Sequence, residues 1–142
     1  MRYLLLFLLS STLFLKLAAD ESIPARPVHT TLSLLNVENK TYLAFSFRNE
    51  DHWHTYWANP GDAGLPIKFQ FLKGANKDQE FALKPLTAPA PERFIEKGDI
   101  WAYGHERGYT YFYEADLKSL PKEFLVKVSW LVCKQICIPG ER

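Results

Sequence analysis

The two cysteines are the residues whose type and spacing point most directly to chemistry. Cys133 and Cys137 are the only cysteines among 142 residues, and three residues separate them. A fully extended backbone would place their Cα atoms about 13 Å apart, whereas a disulfide needs roughly 4.4–6.8 Å. Pairing therefore requires the preceding strand to end at Cys133 and the backbone to curl before Cys137.

Two thiols this close can form a disulfide that opens and closes, form a disulfide that stays closed, or bind a metal ion. A disulfide here closes a ring of about five residues, which the loop-entropy model values at ~2 kcal/mol, against ~4.7 kcal/mol for a hundred-residue ring. So short a ring suits opening and closing better than it suits a structural crosslink. Lys134, next to Cys133, could favour a neighbouring thiolate. The residues alone leave all three alternatives open.

The metal alternative depends on His52 and His54. Residues i and i+2 of a strand share a face, so a strand here would place both imidazoles on one side. Two histidines and two cysteines could hold zinc or copper tetrahedrally. The spacing of Cys133 and Cys137 lies outside the commonest zinc-finger pattern, however, and nothing in the sequence brings the two pairs together. We therefore predict no metal ligands.

Residues 1–19 are predicted to be a cleaved signal peptide. Arg2 precedes the almost wholly apolar run Tyr3–Leu15, and Ala18 and Ala19 supply small residues before the first acidic ones. The run is shorter than the ~20 apolar residues of a transmembrane helix. An uncleaved N-terminal anchor is the alternative, because Lys16 makes the cleavage site imperfect. Export to an oxidising compartment places a disulfide ahead of a metal site.

Residues 20–142 are long enough for one ordinary domain. Removing residues 1–19, which contain Arg2 and Lys16, reduces the 17 basic residues to 15, against 16 acidic ones. Such a balanced surface has no electrostatic footprint for nucleic acid. The domain is therefore not expected to bind nucleic acid.

Alternating apolar residues predict an all-β fold. Leu43, Phe45 and Phe47 share one face of a predicted strand, and the series Leu65, Ile67, Phe69, Phe71 alternates in the same way. Strand-like segments separated by turn signals recur along residues 20–142, and no convincing amphipathic helix interrupts them. This organisation is typical of a β-sandwich or barrel.

Several segments are predicted to lack regular pairing. Asn59–Asp62 consists entirely of turn formers, and Arg93–Gly108 is long and less regular. Glu92, Glu96 and Asp99 are interpreted as solvated loop residues. Pro139–Gly140 predicts a turn, and a turn normally leads to another strand, so we expect the domain to continue beyond Arg142.

Three motifs in this order resemble the N-terminal domain of the thiol:disulfide interchange protein DsbD, including its ScsB-like relatives. His54–Pro66 resembles the family's H-x-Y-W-x-N-P-G-D-x-G-x-P signature. Pro89–Phe94 resembles its P-x-P-x-R-F segment, and Trp130–Glu141 its W-L-x-C-K-x-x-C-x-P-G-E end. The resemblance covers roughly residues 28–142.

The resemblance implies an immunoglobulin-like β-sandwich in the periplasm with a redox-active pair, Cys133 and Cys137, and no cofactor. It also implies that a membrane-embedded thiol reductase domain donates electrons. The acceptors would be periplasmic thioredoxin-like or disulfide isomerase proteins, including those of cytochrome c biogenesis. The domain would thus serve a protein-disulfide reductase system. The electron donor would be either another polypeptide or a missing C-terminal part, and the second alternative would attach the domain to the membrane.

The resemblance further implies that aromatic side chains surround the pair. His54 and Tyr56 match the neighbouring strand, and Ile100–Tyr103, with Trp101 and Tyr103, matches a shielding loop. One departure is His105, which stands where many relatives have tyrosine. The main alternative function is a secreted immunoglobulin-like binding module with an inert structural disulfide.

Overall fold

The computed structural model describes residues 26–74 and 79–142. The predicted signal peptide, residues 1–19, lies outside these ranges. The described residues form strands joined by turns and loops, without a helix, and so contain no helix that could cross a membrane. The eleven strands are β1 (Val28–Val37), β2 (Lys40–Asn49), β3 (His54–Gly61), β4 (Lys68–Lys73), β5 (Gln79–Phe81), β6 (Lys84–Pro85), β7 (Glu92–Glu96), β8 (Ile100–His105), β9 (Tyr109–Glu114), β10 (Phe124–Cys133) and β11 (Cys137–Glu141).

The strands form two antiparallel sheets packed face to face. The smaller sheet has the order β1–β2–β9–β6. The larger sheet has the order β5–β4–β10–β3–β8–β7, and β11 pairs with β10 beside this path. The predicted all-β fold is confirmed, and the architecture is an immunoglobulin-like β-sandwich.

Aromatic rings from both sheets fill the core. Leu43, Phe45 and Phe47 of β2 are buried, as their alternation predicts. The Phe45 ring meets the Phe69 ring of the opposite sheet edge to face, with centroids 5.0 Å apart. Leu65 departs from its predicted face, because it precedes β4 and remains 60% exposed. Leu65 therefore lies outside the core that the other residues of its alternating series join.

The segment predicted to be irregular between Arg93 and Gly108 is mostly a regular hairpin of β7 and β8. Arg93 pairs with Tyr103, and the register runs unbroken to the turn. Gly98 and Asp99 make that turn, and both have positive φ. The prediction missed the hairpin because β7 is an edge strand that mixes charged and apolar residues. The Asn59–Gly61 segment likewise belongs to β3, where the register with β8 is irregular.

The predicted turn at Pro139–Gly140 is also wrong, because both residues lie within β11. Gly140 pairs directly with Trp130 of β10. A Cβ atom added to Gly140 would lie 2.3 Å from Nε1 of the Trp130 indole. Glycine is therefore needed here for close packing rather than for a turn.

Replacing Gly140 with alanine should lower the free energy of unfolding by about 1–3 kcal/mol, because the added methyl group displaces the indole. Urea denaturation measures the change. Gly108→Ala is the matched control, since its Cβ would meet no atom closer than 3.5 Å. Equal stability of the two variants would contradict the packing role of Gly140.

A buried polar cluster joins the two sheets near the strand that carries His54. The Tyr109 and Thr55 hydroxyls hydrogen-bond at 2.6 Å, and Asn49 Nδ2 donates to the His105 carbonyl at 2.6 Å. The His105 ring stacks on Tyr109, with centroids 4.0 Å apart. Burial lowers the pKa of His105 to about 4. His105, the departure from the family motif, is thus a neutral interior residue.

Stability should therefore fall as the pH drops from about 6.5 to about 4. In this window the unfolded chain binds a proton at His105 while the folded chain does not, and the loss reaches about 2–3 kcal/mol. The His105→Phe variant keeps a ring against Tyr109 but cannot titrate. Its free energy of unfolding should fall less over the same pH window. A pH dependence equal to that of the unsubstituted chain would show that His105 is not the titrating group.

Candidate functional site

Cys133 and Cys137 face each other across a tight hairpin and are joined by a disulfide. Cys133 ends β10, Cys137 begins β11, and the two residues are directly paired in the register. Their Cα atoms are 4.1 Å apart. The loop between them contains Lys134, which is half-buried and whose N–H donates to the Ile136 carbonyl at 3.0 Å. The predicted strand end at Cys133 is confirmed.

The two cysteines differ sharply in exposure. Cys133 is only 2% exposed, whereas Cys137 is exposed at the start of the edge strand. The burial of Cys133 comes from an apolar cluster on the outer face of the larger sheet, formed by Tyr56, Ala102, Phe94 and Leu131. A reagent or partner arriving from solvent therefore meets Cys137 first.

Strand β3 places His54 beside the buried cysteine. His54 pairs with Cys133 and Thr55 pairs with Val132. Directly paired residues point to the same face of a sheet, so the His54 side chain lies on the Cys133 side. Tyr56, two residues further along, shares that face and packs in the Cys133 cluster. The structure thus places His54 and Tyr56 beside Cys133.

Gly64 explains part of the long motif that contains these residues. Its φ is +87°, and a Cβ atom there would lie 2.1 Å from the Tyr56 ring. Only glycine satisfies both the backbone and the close contact. The loop after β3 therefore holds the Tyr56 ring in place.

Side chains of the β7–β8 hairpin, which belongs to the same sheet, pack on this face. Phe94 pairs with Ala102 across the hairpin, and its ring centroid lies 4.4 Å from that of His54. Within the predicted shielding segment Ile100–Tyr103, Ala102 is the residue that packs in the Cys133 cluster. The cover is therefore a strand pair, with Phe94 as its aromatic contact, rather than a loop.

Trp101 and Tyr103 lie elsewhere than the sequence predicts. Alternation along β8 turns both side chains away from the face occupied by Ala102. The Trp101 ring instead carries the guanidinium of Arg93, 4.6 Å from its centroid. Both residues are substantially exposed, and neither belongs to the cluster around Cys133.

Glu96, which the sequence analysis interprets as a solvated loop residue, belongs to this site. It lies on β7, two residues after Phe94 and on the same face, and its side chain is 24% exposed. The Tyr56 hydroxyl donates a hydrogen bond to Glu96. His54 Nε2 lies 3.4 Å from both the Glu96 carboxylate and the Tyr56 hydroxyl. Period-two spacing from Phe94 was the one sequence signal that could have located it.

Burial and the Glu96 carboxylate shift the pKa values of His54 and Tyr56. Burial lowers the pKa of His54 below its usual value, and the Glu96 carboxylate partly opposes this shift. Burial also raises the pKa of Tyr56, and its hydrogen bond to Glu96 adds to the increase. At neutral pH the site therefore contains a neutral imidazole and a neutral phenol next to a carboxylate.

The structure does not support the histidine pair of the metal alternative. His52 is an exposed turn residue with a φ of 65°, so it precedes β3 and does not share a strand face with His54. In the part of the chain that the structure describes, no three His, Cys, Asp or Glu side chains are grouped so that they could hold a metal ion.

A solved structure shares this sandwich. The chain is similar to the N-terminal periplasmic domain of ScsB from Proteus mirabilis, with a TM-score of 0.65 and 14% sequence identity. The match covers 85% of this chain and 47% of that structure, so the chain spans about half its length. At this identity the likeness shows the fold alone. No curated protein matches the chain.

The fold is a β-sandwich, and its β10–β11 hairpin carries a disulfide. The family model for the N-terminal region of the thiol:disulfide interchange protein DsbD matches residues 20–142. The chain therefore belongs to the DsbD N-terminal domain family, as its three motifs predict.

The difference in exposure predicts the reactivity of the two thiols after reduction. Iodoacetamide should alkylate Cys137 at least about tenfold faster than Cys133, because Cys133 lies beneath Phe94 and Tyr56. Mass spectrometry of the native, reduced chain measures both rates. Phe94→Ala should narrow the ratio by opening the cover, whereas equal rates in the unsubstituted chain would contradict the burial of Cys133.

Proposed function

We propose that the chain is a thiol–disulfide exchange module that works through Cys133 and Cys137. The observation that carries the proposal is the hairpin disulfide itself, with one exposed and one buried sulfur on a DsbD N-terminal scaffold. An exposed sulfur gives a partner thiolate a point of attack. A buried sulfur is protected from other reagents until the bond opens.

Reduction of the pair begins at Cys137. A partner thiolate attacks the Cys137 sulfur, a mixed disulfide forms there, and Cys133 leaves as a thiolate that takes up a proton. A second partner thiolate then attacks the partner sulfur of the mixed disulfide and releases Cys137. The pair gains two electrons and the partner becomes a disulfide.

The reduced pair passes the electrons on by the same steps in reverse. The Cys137 thiolate attacks a target disulfide, and Cys133 then attacks Cys137 in the mixed disulfide, which releases the reduced target. No cofactor takes part, because both electrons travel with sulfur. The target must present its disulfide at the tip of the β10–β11 hairpin.

The partners and location belong to this proposal. A membrane-embedded thiol reductase domain donates the electrons, and periplasmic thioredoxin-like or disulfide isomerase proteins accept them, including those of cytochrome c biogenesis. Residues 1–19 act as the export signal and residues 20–142 as the redox domain. The ScsB structure supports the compartment, since the similar domain is described as periplasmic. The chain then serves as one part of a protein-disulfide reductase system.

Replacing Cys133 should trap a partner on Cys137. In Cys133→Ala the mixed disulfide at Cys137 has no neighbouring thiol to resolve it, so a covalent complex should accumulate when the chain is expressed with its periplasmic partners. Non-reducing electrophoresis followed by mass spectrometry detects it. Cys137→Ala is the control and should trap far less, because the remaining thiol is buried.

The reduction potential of the unsubstituted chain provides a second measurement. A structural bond resists reduction and typically lies below about −300 mV. A value well below that limit, together with no covalent complex in either single-cysteine variant, would favour the inert binding module instead of exchange.

A further inference from the structure

The contact between His54 and Glu96 has no role in the exchange steps as written above. We propose that His54 is the base that takes the proton of the Cys133 thiol in the resolving step, and that Glu96 is the positioning residue that holds His54 for it. The inference rests on the proposed function, since it concerns the second half of the exchange reaction.

The resolving step needs such a base because of where Cys133 lies. The thiolate, not the thiol, is the nucleophile, and burial among apolar groups disfavours the thiolate. Cys133 is buried and packs in one cluster with Ala102, Phe94 and Leu131. Once Cys137 carries the mixed disulfide, the reaction waits until Cys133 loses its proton. Bulk water reaches this sulfur poorly.

The geometry places His54 at the right position. His54 and Cys133 are direct partners across β3 and β10, and such pairs have Cβ atoms roughly 4.5–5.5 Å apart. Nε2 of His54 faces Glu96 and Tyr56 at 3.4 Å each. The other ring nitrogen, Nδ1, is then the one that accepts the Cys133 proton. The Phe94 ring, 4.4 Å away between centroids, keeps solvent from the imidazole.

The electrostatics suit a base that works near neutral pH. Burial lowers the pKa of His54, so the imidazole is free to accept a proton, and the Glu96 carboxylate stabilises the imidazolium that results. The Tyr56 hydroxyl fixes the carboxylate by donating to it. Glu106 adds a more distant negative charge that also favours the imidazolium. Lys134, which directly follows Cys133 in the sequence, is the neighbouring positively charged residue.

The resolving step balances as follows. The S–H proton of Cys133 moves to Nδ1 of His54, and the Cys133 sulfur attacks the Cys137 sulfur. The Cys133–Cys137 bond forms, the bond from Cys137 to the target breaks, and the target leaves as a thiolate with the electron pair. The imidazolium then gives its proton to water or to the leaving thiolate. During reduction the same imidazolium returns a proton to Cys133.

A reaction with 5,5′-dithiobis(2-nitrobenzoate) separates the two halves of the exchange. The reduced full chain attacks the reagent through Cys137 and releases a first thionitrobenzoate, and Cys133 then displaces a second one. Stopped-flow absorbance resolves both releases. Glu96→Gln should slow the second release about tenfold while leaving the first unchanged, since only the second needs the base. Glu96→Asp, which keeps the carboxylate, should recover part of the rate.

Glu92→Gln is the matched control. Glu92 is exposed on the same face of β7, four residues before Glu96, and its replacement removes the same charge. Both releases should then match those of the unsubstituted chain. The inference is overturned if Glu96→Gln behaves like Glu92→Gln, or if Glu96→Gln slows both releases equally, which would indicate a structural role.

The unsubstituted chain gives an independent readout that does not depend on the folding of any variant. The rate of the second release should rise with pH around the pKa of His54 measured by nuclear magnetic resonance on the reduced chain. A rate of the second release that does not change with pH around the pKa of His54 would overturn the inference. A reduced chain that releases no thionitrobenzoate at all would instead overturn the proposed exchange itself.

Discussion

The alternation of side chains along β10 is the constraint on which both the core and the disulfide depend. Val128, Trp130 and Val132 enter the space between the sheets, whereas Leu131 and Cys133 reach the opposite face. A shift of one residue in the register would exchange the two sets. The packing that stabilises the sandwich therefore also places Cys133 on the face where side chains of β3, β7 and β8 pack around it.

In the proposed exchange, the thiol pair has to react with its partner and with little else. The two cysteines differ in exposure in a way that suits these two requirements. Phe94 and Tyr56 pack around Cys133, while Cys137 is exposed at the start of β11. The covering strand also brings Glu96 next to His54, so the element that excludes water supplies the local charge. Shielding and electrostatics thus come from one hairpin.

The sequence predicts the parts of this arrangement that local patterns encode. Period-two alternation located β2 and most of β4, and the motifs pointed to Cys133, Cys137, His54 and Tyr56. The β7–β8 hairpin was not predicted, because an edge strand with two partly solvated faces has no clean alternation of apolar and polar residues. The role of Glu96 in the site was not predicted, because its partner Tyr56 lies 40 residues earlier and no local pattern reveals that contact. β11 escaped because proline and glycine are tolerated in an edge strand.

The direct pairing of Cys133 with Cys137 has a consequence for how the two redox states differ. The β10–β11 ladder continues from Val132 and Ile138 to Ser129 and Glu141, and backbone hydrogen bonds between Val128 and Arg142 extend it. Opening the disulfide removes one crosslink from strands that remain aligned. The backbone therefore needs little reorganisation, and the sulfurs stay opposite each other. We therefore expect a partner to distinguish the oxidised from the reduced domain by the chemistry of the sulfurs rather than by the arrangement of the strands.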